Sequence, residues 1–284
     1  HTQVQRGGIG TQLLLPYGVS NTTISQVAAD GWARQHFRPA GPEFDAIEHR
    51  EFAAATKLVR SANPKQEIIE VLREQSPQQI ASLMELSDAL AALNVARYQA
   101  WSSRATPKNA RQAVLAFDGD VYGGLQAREL TAAQLTWAQE HLCILSGLYG
   151  VLRPLDKLQP YRLEMGTAVA TERGRNLYDF WGERIAEHLN RLQRGERAPR
   201  VVNLASQEYS RAALRSALKA RVIECVFEEG QGAGRYRIVS FFAKKARGAM
   251  ARFACRHRIQ TPEALREFDE DGYAFASAVS TADR

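Results

Sequence analysis

Apolar residues recur at helical spacing over much of the chain. The sharpest start is Ser76-Pro77-Gln78-Gln79: a cap, a proline in the first turn and a glutamine at the third position. Ile80, Leu83, Met84 and Leu90 follow, and a second helical stretch runs through Leu93, Arg97 and Tyr98 to Trp101. Thr106-Pro107 predicts a third helix, with Val114-Leu115-Ala116-Phe117 as its end or as a buried strand. Thr131 and Gln134 have capping-box spacing, and Leu135, Ala138, Leu142 and Leu145 then share one helical face up to Gly147. Leu177 to Leu192 is amphipathic, with Phe180, Trp181, Ile185 and Leu189 inward, and Gly195 marks its exit.

Strand patterns are shorter. Val201-Val202-Asn203-Leu204 is β-branched and apolar, as a buried strand requires. Val222–Phe227 and Tyr236–Phe241 predict two more, joined as a hairpin across glycines 230, 232 and 234. Before them, Gly7-Gly8-Ile9-Gly10, Pro16, Gly18 and Pro39-Ala40-Gly41-Pro42 interrupt any long period. Residues 1–44 are therefore expected to be poorly ordered or atypical, and 45–284 to form a single globular domain. From Phe44 the pattern turns helical, with Phe52, Leu58 and Val59 as apolar points.

Composition narrows the class. The 284 residues suffice for one large domain, and no apolar run is long enough to cross a membrane. The start, His1-Thr2-Gln3-Val4-Gln5-Arg6, lacks the order of a signal peptide. Cys143, Cys225 and Cys255 are few, odd in number and far apart, which argues against a disulfide framework and fits a reducing cytoplasm. Each reads as a small buried apolar residue. The six histidines have no metal spacing, and Asp118-Gly119-Asp120 reads as a turn, because a third ligand and the calcium-loop pattern are missing.

The net charge is +6, and its distribution matters more than its size. Lys244, Lys245, Arg247, Arg252, Arg256 and Arg258 have no acidic residue between them. Lys245, Arg252 and Arg256 share a helical face, while Phe242, Ala246, Ala249 and Phe253 lie on another. Such a face meets either a nucleic acid or solvent and acids from elsewhere in the chain, with Glu164 and Glu208 as candidates. At Leu145-Ser146-Gly147-Leu148-Tyr149-Gly150, spacing alone describes a glycine-stopped helix and a loop. The same two glycines would also let bare amides approach a phosphate.

Together with Arg153-Pro154-Leu155-Asp156 and Pro160-Tyr161-Arg162-Leu163-Glu164-Met165-Gly166, that stretch resembles the bacterial YaaA (UPF0246) family of peroxide stress resistance proteins. The likeness extends to Phe117–Tyr122, Tyr178–Gly182, Asn203–Ser206 and Ser240–Gly248, in order, from about residue 66 to 275. It implies DNA binding, a helix-hairpin-helix at the glycine turn, and a role in limiting damage when peroxide meets intracellular iron. Residues 1–44 do not match, and the C-terminus looks short. The family opens with a strand and a Ser-Pro-Ala-Lys-type turn, neither of which is found: either this start is non-native or the chain has lost the family's first strand, and the central sheet turns on which. Pro154 and Pro160 interrupt the second helix of an ordinary helix-hairpin-helix, so the motif is expected to be irregular.

The expected fold is α/β with mixed α+β character: a central mixed sheet surrounded by helices, with the glycine turn beside a basic cleft. The expected function is binding of double-stranded or structured DNA through phosphates with little base preference. The contacts would come from Ser146, Gly147, Leu148, Tyr149, Gly150, Arg153, Arg162, Lys244, Lys245, Arg247, Arg252 and Arg256. Gly150→Val is expected to lose DNA affinity while leaving the melting profile nearly intact. The alternative is an enzyme acting on a nucleotide or nucleic acid, with Asp120, Arg162, Glu164, Asn203, Ser206, Glu208 and Lys244 as candidates. A permanent iron site would need closer metal-ligand spacing. No cofactor, metal, membrane or obligate protein partner is expected.

Overall fold

The computed structural model describes residues 63–232 and 235–284 and the backbone of residues 11–15. Strand β1 is Thr11–Leu15. Helices α1 (Pro64–Arg73), α2 (Pro77–Met84) and α3 (Asp88–Ala100) follow. Next come β2 (Arg111–Gln112), α4 (Ala113–Ala116), α5 (Asp120–Leu125) and α6 (Ala132–His141). Then β3 (Leu142–Ser146), β4 (Gly150–Leu152) and β5 (Lys157–Leu158) precede α7 (Leu177–Trp181) and α8 (Arg184–Leu192). The last third holds β6 (Arg200–Asn203), α9 (Gln207–Ala213), β7 (Arg221–Glu224), β8 (Glu229–Gly230), β9 (Tyr236–Arg237) and α10 (Ser240–His257).

A five-stranded sheet in the order β4-β3-β1-β6-β7 carries the fold. Strands β3, β1, β6 and β7 are parallel, and β4 adds antiparallel at one edge. Leu13 lies opposite both Leu142 and Val202, and Asn203 lies opposite Glu224. Every residue of β3 is buried, as befits a strand with neighbours on both sides. At the β7 edge, the Glu224 amide donates to the Asp283 carbonyl at 2.8 Å, covering part of an open ladder. Helix α10 crosses α5 at backbone contact, because Gly124 and Gly248 carry no side chains there.

The capping box expected at Thr131 forms, and the Ser76 cap closes a second one with Gln79. The Gln79 amide donates to Ser76 Oγ at 3.2 Å while Gln79 Oε1 accepts from the Ser76 amide at 2.7 Å. Thr131 and Gln134 do the same at 3.3 and 2.9 Å.

Several expectations change. The helix predicted through Leu142 and Leu145 ends at His141, and those leucines belong to β3. A strand buried on both faces loses its polar alternation, so helically spaced leucines imitate it. The glycine turn therefore joins two strands, with Ser146 paired to Gly150, and a β-hairpin stands where a helix-hairpin-helix was expected. Gly182, at φ +49°, splits the amphipathic 177–192 stretch into α7 and α8. Residues 106–109 form a turn rather than a third helix, and Val114 to Ala116 lie in the short α4.

Glu229–Gly230, not Val222–Phe227, pairs with Tyr236–Arg237, and Ser240 and Phe241 open α10. The sheet does not lack a central strand, because Thr11–Leu15 supplies one. The rest of 1–44, the helical pattern around Phe44, Phe52, Leu58 and Val59, and Gly234 lie outside the described residues.

Candidate functional site

Four parallel strands open their carboxyl ends on one edge of the sheet. Ser146 ends β3, Asn203 ends β6 and Glu224 ends β7. Asn203 Nδ2 donates to Glu224 Oε2 at 2.7 Å, and its Oδ1 accepts from the Ala205 amide at 3.0 Å. The carboxamide is thus held in one orientation. Ser206 stands at the start of α9 without a side-chain capping bond.

The glycine turn beside this edge is packed rather than open. Ser146, Gly147, Leu148 and Gly150 are buried, and Tyr149 is half-buried. Ser146 Oγ accepts from the Tyr149 amide at 2.8 Å and shares a hydrogen bond with the Tyr161 hydroxyl at 2.6 Å. Trp181 Nε1 donates to the Gly147 carbonyl at 2.9 Å. Tyr149 Oη accepts from Trp101 Nε1 and from the Gln159 amide. A Cβ on Gly147 would stand 2.6 Å from the Leu163 carbonyl. One on Gly150 would stand 2.8 Å from the Trp181 ring, at a backbone φ of +72°. The expectation that Gly150→Val spares the fold fails for that reason.

A group of carboxylates and cations gathers next to the turn. Arg162 is buried and pairs with Glu164 at 3.2 Å. Two residues on, the Gly166 amide donates to Glu208 Oε1 at 2.8 Å. Burial pushes the Glu208 carboxyl above the ordinary carboxylate range; the Glu164 charge adds to this, while the Gly166 amide and the Lys244 charge oppose it. Tyr178 Oη donates to the Glu208 carbonyl at 3.0 Å. Of the enzyme candidates, Arg162, Glu164, Glu208 and Lys244 thus share one locality, with Asn203 five residues before Glu208 at the strand end. Asp120 instead opens α5, the helix whose Val121, Gly124 and Leu125 backbone meets α10. Among the described residues, no three histidine, cysteine or acidic side chains converge as metal ligands.

The basic helix is acid-free only in sequence. Lys245 pairs with Asp271 at 3.3 Å, Arg252 with Glu270 at 2.5 Å and Arg256 with Glu129 at 3.2 Å. Arg252 is buried, and its Nη1 also donates to the Gly124 carbonyl at 2.6 Å and to Gln126. That guanidinium ties α10 to α5 and is not available to a large ligand. Lys245 and Arg256 remain exposed, as do Arg235, Arg237 and Arg258. Arg153 is half-buried, its Nε donating to the Gln139 carbonyl at 2.6 Å. Arg247 is half-buried, and burial lowers its pKa while the Glu224 charge opposes that shift. Glu224 is the residue that sequence reasoning missed. A lone acid at the end of a short apolar strand was its signal.

The three thiols carry no thiolate character: burial pushes Cys143, Cys225 and Cys255 up to about 12. No helix among the described residues is long and apolar enough to cross a membrane.

Comparison with known proteins matches residues 41–279 to the family described as peroxide stress protein YaaA. A UPF0246 protein of Variovorax paradoxus (strain S110) is 66% identical over 221 residues, which cover 78% of this chain and 84% of the relative. One from Polaromonas sp. (strain JS666 / ATCC BAA-500) is 62% identical over 77% of this chain and 84% of its own length. One from Bordetella petrii is 58% identical over 76% and 84%.

Proposed function

The chain belongs to the family of peroxide stress protein YaaA, and from that premise we propose that it is a DNA-binding protein of the peroxide response. It holds duplex or structured DNA through phosphates, with little base preference, and so limits iron-dependent oxidative damage in the cytoplasm. The observation that carries this reading is the run of exposed cations on and just before α10: Arg235, Arg237, Lys245, Arg256 and Arg258, with half-buried Lys244 beside them. Their acidic partners at 129 and 271 are themselves exposed, so a phosphate can replace them at small cost. The glycine turn is buried and supplies none of these cations.

Binding of a random-sequence duplex measured against salt tests the proposal. Affinity should fall with a slope near −0.9 per phosphate neutralised. Salt-independent binding, or none at low salt, overturns it.

A second reading, an enzyme acting on a nucleotide or nucleic acid in the same cleft, draws support from Glu208. A carboxyl held above its usual range beside Glu164 and Lys244 suits a proton-transfer role. Turnover lost in Glu208→Gln is its test.

A further inference from the structure

The strand order has a consequence for where a small ligand fits. From β1 the chain passes to β3 on one side, and from β6 it passes to β7 on the other. Adjacent strands whose connections leave in opposite directions make a topological switch point, and open parallel sheets take ligands in the crevice beyond it. Here that crevice lies at the carboxyl ends of β1 and β6, where Asn203 stands opposite Leu14.

A half-buried cation, Arg247, lies near Glu224 at this end of the sheet. Arg247 Nε is buried and has no hydrogen-bond acceptor among the described residues. Its nearby carboxylate, Glu224, already accepts from Asn203. A buried guanidinium N–H without an acceptor is costly, and a phosphate oxygen in the plane of its fork would satisfy it. Lys244 lies one helical turn before Arg247 and supplies a second positive charge. Glu164 and Glu208 lie within electrostatic reach of Lys244, and Glu224 within reach of Arg247. These carboxylates repel a bare inorganic anion and accept hydroxyl or amino hydrogens. The ligand they admit carries donors beside its phosphate.

We propose that the switch-point crevice is a phosphomonoester subsite for one nucleotide, with Arg247 and Lys244 on the phosphate and Asn203 and Glu224 facing its sugar or base. The nucleotide is either free or the 5′-phosphorylated end of a DNA strand. This rests on the cleft of the second reading and requires no turnover in it.

The test titrates the full chain with adenosine 5′-monophosphate, adenosine and inorganic phosphate, and with duplexes ending in 5′-phosphate or 5′-hydroxyl. Adenosine 5′-monophosphate should bind at least tenfold more tightly than adenosine or phosphate. Preference for the 5′-phosphate duplex identifies a strand end as the source; equal binding of the two duplexes identifies the free nucleotide. Arg247→Gln should weaken nucleotide binding tenfold or more, and Arg247→Lys should restore part of it. Lys244→Gln should weaken it as well and serves if the Arg247 variants do not fold. Wild type that treats the three small ligands alike overturns the proposal, as does a folded Arg247→Gln or Lys244→Gln that binds like wild type. Internal duplex binding and turnover are followed on the same preparation, so failure of either earlier reading is seen separately.

Discussion

Gly248 meets Val121 with no room for a side chain: a Cβ on Gly248 would lie 1.8 Å from the Val121 carbonyl oxygen. The reciprocal approach is as close, because a Cβ on Gly124 would lie 2.1 Å from the Lys245 carbonyl. Gly248→Ala should therefore force α5 and α10 apart, at a cost of about 3 kcal/mol or more. Melting should drop by roughly 6–12 °C in a chain of this size. Gly123, one residue away, has nothing within 4 Å of its would-be Cβ. Gly123→Ala should instead stabilise the helix by about 0.5–1 kcal/mol. Equal melting shifts in the two variants would show that the helix crossing is not set by glycine.

Arg252 and Arg256 lie one turn apart and should behave differently. Arg252→Ala strands Glu270 and leaves the Gly124 carbonyl without its donor, which should cost about 3 kcal/mol. Arg256→Ala breaks an exposed pair and should change stability by less than about 0.5 kcal/mol while weakening DNA binding. Chemical denaturation of both variants separates the roles.

Asp271 pairs with Lys245 and, in the proposed DNA-binding reading, would compete with a phosphate for it. Asp271→Asn should tighten duplex binding several-fold at low salt, and Lys245→Ala should lower the salt slope by about one unit. Anisotropy titrations at several salt concentrations read both effects; an unchanged slope in Lys245→Ala removes that lysine from the interface.

The Glu208 carboxyl is held above its ordinary range by burial, and Glu164 adds to the shift. Its proton therefore favours the folded state, and that contribution is lost as pH rises through the folded pKa. Glu208→Gln keeps an acceptor for the Gly166 amide without the charge. The variant should melt higher than wild type at pH 7, and the gap should close on acidification below the ordinary carboxylate range. A gap of the same size at pH 4 and pH 7 would contradict this account.

The thiols should be poor peroxide targets. With Cys143, Cys225 and Cys255 pushed up to about 12, the native chain holds almost no thiolate at neutral pH. Mass spectrometry after brief peroxide treatment should find them reduced in the folded protein and oxidised once it is denatured.

Local chemistry was the part that could be read from the chain. The boxes at Ser76 and Thr131 depend on residues three apart, and both formed as spaced. The shared face of Lys245, Arg252 and Arg256 was also legible, because helical geometry alone fixes it. Their partners were not: Glu129, Glu270 and Asp271 arrive from other elements, and no spacing rule reveals them. Leu142 to Leu145 misled for a different reason. A strand buried on both faces has no alternation to show, and a helix immediately before it lends its own period. The cluster of Arg162, Glu164, Glu208 and Lys244 drew on polar residues that stood out in the sequence, but Glu224 entered only through its register opposite Asn203.

The central position of β1 bears on how the chain reaches this state. Its residues 11–15 pair with 142–144 on one side and with 200–203 on the other. On a ribosome adding 5–20 residues per second, the first strand is made roughly 10–40 s before its second neighbour emerges. Both of its edges are open until β3 is made, and one stays open to any other nascent strand until β6 follows. Such non-local closure folds slowly, so a holdase that occupies the first strand during synthesis would raise the yield of native chain more than one acting after release.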